Sequence, residues 1–270
     1  MIAVELRKLL IRPRTWVSVL LLCLLPVVVA VFLAVSDIAP RPGQGPTFLS
    51  AVLGNGALYP AAALGIVLPF FLPIAVAVVA GEAVAGEAVG GTLRYLLVRP
   101  VGRTRLLVAK LVSVLTYTLL AVVAVAVTGY AAGITLLGTS SAATTTTLSG
   151  TSLTAADLAL RTAFMVLYIG WSMVGVAAVS LLLSTMTDSP LAAALGGLAV
   201  LVSSSVLVAL DAAGAVRDYL PTRYWLAWVD LFRDPILWHD VSRGVLVQTA
   251  YVVVLLGATW ANFTTRDIAS

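Results

Sequence analysis

The chain has 270 residues, 61% of them hydrophobic and only 10% charged, with a formal net charge of +4 and a mean hydropathy of +1.07. That composition excludes a water-soluble globular domain and a disordered chain, because both need far more polar side chains. It describes an all-α integral membrane protein, read here as a single transmembrane domain over residues 1–270. The apolar runs are too long and uniform for the short alternating strands of a barrel, and lipid forces each run to bond its backbone internally as a helix.

Residues 1–14 open the chain with Ile2, Leu6 and Leu9 at helical spacing and Glu5, Lys8 and Arg12 on another face. This pattern predicts an interfacial amphipathic helix carrying Arg7, Lys8 and Arg12; a basic flank that only sets topology is the alternative. Pro13 breaks it, and Trp16 stands where an interfacial aromatic anchor belongs.

At about 20 apolar residues per span, six spans are predicted. They run approximately over 16–35, 57–80, 111–137, 162–183, 191–210 and 245–261. The first is longer than the apolar region of a cleaved signal peptide and is read as a retained span. The single cysteine, Cys23, lies inside it and has no intrachain partner. Pro69 and Pro73 are expected to bend the second span.

Between the second and third spans, residues 81–110 hold Glu82, Glu87, Arg94, Arg99, Arg103, Arg105 and Lys110. Burying the five cations at a bilayer centre would cost more than roughly 12 kcal/mol, so this segment is expected outside the bilayer. Together with the basic N-terminus it forms the densest cationic region, which predicts that both face the cytoplasm. Six spans then return the C-terminus to the same side.

Residues 138–154 are small and hydroxyl-rich and read as a loop. Residues 211–243 are different: Tyr224, Trp225, Trp228 and Phe232 are interleaved with charges, and Trp225, Trp228 and Phe232 share a helical face. Short helices on or dipping into the outer leaflet would satisfy both characters, and packing of the same residues against the spans is the alternative. The lone His239 lies among Asp234 and Asp240 and reads as a local or hydrated group.

No GxxxxGK[ST] phosphate loop occurs, and the only lysines are Lys8 and Lys110. The chain therefore carries no ATPase site of its own. No His or Cys cluster has metal-ligand spacing, and no nucleophile triad stands out, so no catalytic residue and no metal site are assigned. The predicted span interiors offer only neutral polar groups, which argues against a proton relay, although Glu82 and Glu87 keep an ion-driven carrier open.

The order Glu82, Glu87, Gly90-Gly91-Thr92-Leu93, Leu96-Leu97, Arg99-Pro100-Val101, Arg103 and Lys110 resembles the loop between the second and third spans of type-2 ATP-binding-cassette exporter permeases. Glu5-Leu6-Arg7-Lys8 resembles their connecting helix, and Phe263 with Arg266-Asp267-Ile268 resembles their C-terminal tail. The resemblance implies a subunit that assembles with a second permease copy or a related permease and with two cytoplasmic ATPases, which would bind ATP and Mg. It also implies that Thr92 to Leu97 forms a coupling helix docking on the ATPase, ended by Arg99-Pro100. Arg103 would lie where the chain re-enters the membrane, and Glu82 and Glu87 near the gate or the ATPase.

Two readings of the arginines stand side by side, topology and lipid-phosphate contacts or direct ATPase and gate contacts. The expected function is export of a lipophilic or amphipathic cargo from a bacterial plasma membrane, with membrane lipid as surroundings and no role for nucleic acid. The alternatives are a secondary carrier and an ATPase-linked subunit for lipid extraction or cofactor assembly.

Overall fold

The structure, a computed structural model, describes residues 1–36, 55–91, 102–138, 145–146 and 152–265. Among these residues it is a helical bundle with six helices long and apolar enough to cross a membrane. The strands among the described residues are a two-residue antiparallel ladder, Thr145–Thr146 with Ser152–Leu153.

Helix α1 (Ile2–Ile11) ends where Arg12 turns extended, and Pro13 begins α2 (Pro13–Val35) at the position a proline tolerates, the first turn. The Trp16 indole N–H donates to the Leu10 carbonyl at 2.7 Å. It thereby satisfies one of the carbonyls left open at the end of α1.

The second predicted span divides in two. One 3-10 turn (Gly56–Leu58) leads into α3 (Tyr59–Val67), and α4 (Phe71–Val89) follows after a break at residues 68–70. Phe70 leaves helical geometry (φ −135°, ψ −57°), and Pro73 has no N–H to bond back to Pro69, so the helical ladder cannot continue through this point. Pro69 and Pro73 thus flank a break, where a bend was expected.

The break moves the spanning helix toward the α1 end. Glu82 and Glu87, expected in a segment outside the bilayer, sit on the last turns of α4. Gly91 then closes that helix in the left-handed region (φ 65°), a conformation glycine adopts without penalty.

Of the remaining spans, those at 155–186 and 238–265 exceed their predicted apolar cores at both flanks, and the one beginning at Arg103 does so at its start. Helix α5 (Arg103–Ala132) continues as a π-turn (Gly133–Leu137), and α6 (Ala155–Met186), α7 (Pro190–Ala209) and α8 (Trp238–Thr265) complete the bundle. Helix α6 begins with a capping box, Thr154 and Asp157 each bonding the other's backbone N–H.

Helix α4 is central and packs chiefly on α6 and α7, while α2 packs chiefly on α5 and α8 on α6. Gly81 permits the α4–α7 approach, since a Cβ there would lie 2.9 Å from the Ala194 backbone nitrogen. At the same residue the Ser184 hydroxyl of α6 donates to the Gly81 carbonyl (2.6 Å) and accepts from the amides of Val84 and Ala85 (3.1 and 3.0 Å).

Between α7 and α8 lie two 3-10 helices, Asp211–Tyr219 and Ala227–Phe232. Tyr224, Trp225, Trp228 and Phe232 are all buried in the main core, so these aromatics pack against the spans. Trp228 and Phe232 meet edge to face at 6.2 Å. The segment is fastened to α6 by the Tyr168 hydroxyl, which donates to the Tyr224 carbonyl, and by Arg161, which donates to the carbonyls of Leu231 and Arg233. Carbonyls in the turn and at the end of the 3-10 helix give these long side chains their acceptors.

Candidate functional site

The chain's only two lysines meet at the α1 end of the bundle. Lys110 of α5 places its Nζ 2.7 Å from Glu87 Oε1 of α4 and 2.9 Å from Glu5 Oε2 of α1. Lys8 of α1 reaches Glu5 Oε1 at 3.1 Å and Glu87 Oε1 at 3.3 Å. Each lysine touches both carboxylates, and each carboxylate touches both lysines. Among the described residues the result is a ring of two lysines and two glutamates joining three helices.

This ring explains how Lys110, expected in a segment outside the bilayer, can be buried within the protein. An isolated ammonium in an apolar setting carries a desolvation cost of several kcal/mol, and only close counter-charges with good geometry offset it. Lysine suits the position because its compact ammonium offers three donors that can turn toward separate carboxylates, where the flat guanidinium of arginine would favour a single bidentate partner. The ring also turns α1 over. Glu5 and Leu9 face inward, while Ile2, Val4, Leu10 and Ile11 are exposed, so the acid expected on the hydrated face is instead the buried one.

Electrostatics follow the geometry on α1. Burial pushes the Glu5 carboxyl up, but the hydrogen bonds and charges of Lys110 and Lys8 outweigh it and hold the group below its ordinary value. Burial likewise pulls Lys8 down, and Glu5 and Glu87 outweigh it, so its ammonium is held above the ordinary value.

The second glutamate of the motif has a different partner. Glu82 meets Arg14 at 3.2 Å in an exposed pair, which agrees with the 100° per residue of a helix placing the two glutamates on different faces. Arg103, at the start of α5, donates to the Thr264 carbonyl at 3.0 Å, a cation set at the C-terminal end of α8. Trp260 and Asn262 add hydrogen bonds from α8 to Thr104 and to Thr185. Phe263 packs with Val84, Leu106, Leu107 and Leu181, so α8, α4, α5 and α6 are gathered at this same end.

Arg7 and Arg12 are exposed on and just beyond α1. Thr92, Leu93, Leu96, Arg99 and Pro100 lie outside the described residues. Sequence reasoning missed the ring itself. The signal was present in composition: among sixteen basic residues only two are lysines, and an arginine-rich chain that keeps two lysines is using a property arginine lacks.

The ring, the Arg14–Glu82 pair and the α4–α5 connection all fall within residues 1–195, which match the family described as ABC-2 family transporter protein. The chain belongs to the ABC-2 transporter family. No curated protein matches it. As an ABC-2 permease it is a multi-pass membrane subunit of an ABC transporter, distinct from the ATPase and a partner of ABC ATPase subunits. In this permease the matched residues begin at α1 and end in the first turns of α7, so every ring residue is included.

Proposed function

We propose that this permease forms the translocation path of an ATP-driven exporter for lipophilic or amphipathic molecules. Two copies, or one copy and a related permease, assemble with two cytoplasmic ATPases that hold ATP and Mg. The termini face the cytoplasm of a bacterial cell. The connection between α4 and α5, including Thr92 to Leu97 and Arg99-Pro100, receives the ATPase movement.

The observation that carries this reading is the ring. A displacement at the α4–α5 connection acts first on the end of α4 and the start of α5, and Glu87 and Lys110 stand on those two ends. Through Glu5 and Lys8 the same displacement reaches α1, and α1 leads through Pro13 into α2. Helices at the entrance of the path therefore move as one unit. A preference for lipophilic cargo is supported by span surfaces that expose leucine, valine and phenylalanine with no fixed charge beyond the ends.

The test is ATP hydrolysis and cargo flux in vesicles holding permease and ATPase. Charge reversal at Arg99 or Glu87 should lower cargo-stimulated hydrolysis while the complex still assembles. Unchanged hydrolysis in both variants would overturn the coupling assignment, and flux that follows an ion gradient without ATPase would show a secondary carrier.

A further inference from the structure

Helices α2 and α4 scarcely touch, because α2 leans on α5 while α4 leans on α6 and α7. Between them a cavity of about 1210 Å³ opens, with the ion ring, Arg12 and Arg14 lining its mouth at the α1 end. Its walls are Leu21, Leu24 and Val28 from α2 and Phe71, Ile74 and Val78 from α4, all exposed. We propose that this cavity binds one anionic phospholipid from the leaflet in which α1 lies, its acyl chain between α2 and α4 and its headgroup at Arg12.

Length supports a lipid. From Arg14 to Val28 the helix rises about 21 Å, which covers one leaflet's half of a roughly 30 Å hydrocarbon core and its headgroup layer. Charge supports an anionic one. Among the described residues the ring's two lysines are matched by its two glutamates, and Arg14 is paired with Glu82, so these groups balance at the mouth. Arg12 also lines the mouth, is exposed, and has no carboxylate partner among the described residues. Arg7 stands beside it on the neighbouring surface. Basic pockets between spanning helices at the headgroup level are suited to anionic lipid. A second copy of the chain is a poorer occupant, since symmetric pairing through this groove would set one cationic mouth against another.

The site requires only that α2 and α4 span a membrane, so it stands apart from the exporter reading. The experiment uses the full chain in nanodiscs of equal phosphatidylglycerol and phosphatidylcholine, with the lipid retained after detergent extraction quantified by mass spectrometry. Phosphatidylglycerol should be retained over phosphatidylcholine by about fivefold, the factor one surface arginine contributes near anionic lipid. Arg12→Gln should bring the ratio to parity, and Val28→Trp should lower retention of both lipids. Both side chains are exposed, and an unchanged thermal unfolding profile confirms that the variants fold. Equal retention by the wild type, or no response to either substitution, would overturn the proposal. So would disulfide cross-linking of two copies through Val28→Cys in a Cys23→Ala background. Adding or omitting the ATPase leaves the lipid ratio unchanged, so failure of the exporter reading is seen separately.

Discussion

Lys110 and Glu87 face each other across 2.7 Å from opposite sides of the connection between α4 and α5. Both side chains are nearly shielded from solvent, with exposures of 7% and 11%. Any force applied to that connection therefore meets a charge pair that is expensive to separate.

Lys110→Met should destabilise the protein by about 3–5 kcal/mol, because two carboxylates are left buried beside one remaining lysine. Arg14→Ala, which removes the exposed partner of Glu82, should cost at most about 1 kcal/mol. Thermal unfolding of the two variants in the same detergent checks the contrast. Equal losses would show that the ring does not hold the helices together.

Docking of α1 should depend on pH at both extremes. Glu5 has a depressed pKa, so its contribution is complete above its ordinary value of 4.5 and is lost as pH falls through the lower folded value. Lys8 has a raised pKa, so its contribution is complete below its ordinary value of 10.5 and is lost as pH rises through the higher folded value. The hydrogen-exchange protection factor over residues 2–11, taken relative to the intrinsic exchange rate at each pH, should be high and flat between those limits and fall outside them.

Trp228→Ala should cost about 3–5 kcal/mol, the range for truncating a buried aromatic, since Trp228 is only 3% exposed and packs over Gly65. Trp238 is 53% exposed and meets Phe164 edge to face at 6.4 Å, so Trp238→Ala should cost no more than about 1.5 kcal/mol. Unfolding by denaturant separates the two. Similar effects would return the aromatic segment to a leaflet-facing role.

Gln248 donates to the Ser172 carbonyl at 2.7 Å, in space left by Gly175. Gln248→Leu should cost about 0.6–1.7 kcal/mol, the range for hydrogen bonds between membrane helices. Gly175→Leu should cost more, because its side chain would occupy the place of the Gln248 amide. Stability of both variants in detergent tests the ordering.

Much of this architecture was legible in the order of residues. Six spans, the helix 2–11 and its stop at Pro13 follow from hydrophobic run length and from proline's missing N–H. Both are one-dimensional properties that lipid and backbone chemistry impose on each segment separately. The proline pair at 69 and 73 announced a disturbance, but whether α3 and α4 bend or separate depends on what each half packs against.

The charged site was legible only in outline. Glu82, Glu87 and the basic residues around them marked one end of the bundle, and the cost of burying charge correctly drove them from the apolar middle. That cost was summed over the cations without their partners, and helical spacing alone put Glu5 on the polar face of α1. Tertiary structure reversed this by bringing two carboxylates to each lysine, and it turned the aromatic run at 224–232 inward by offering it the open faces of α3 and α6. Hydropathy and helix limits act along the chain and can be read from it; compensation of a charge and filling of a face depend on residues far away in sequence, and only the fold decides which of them arrive.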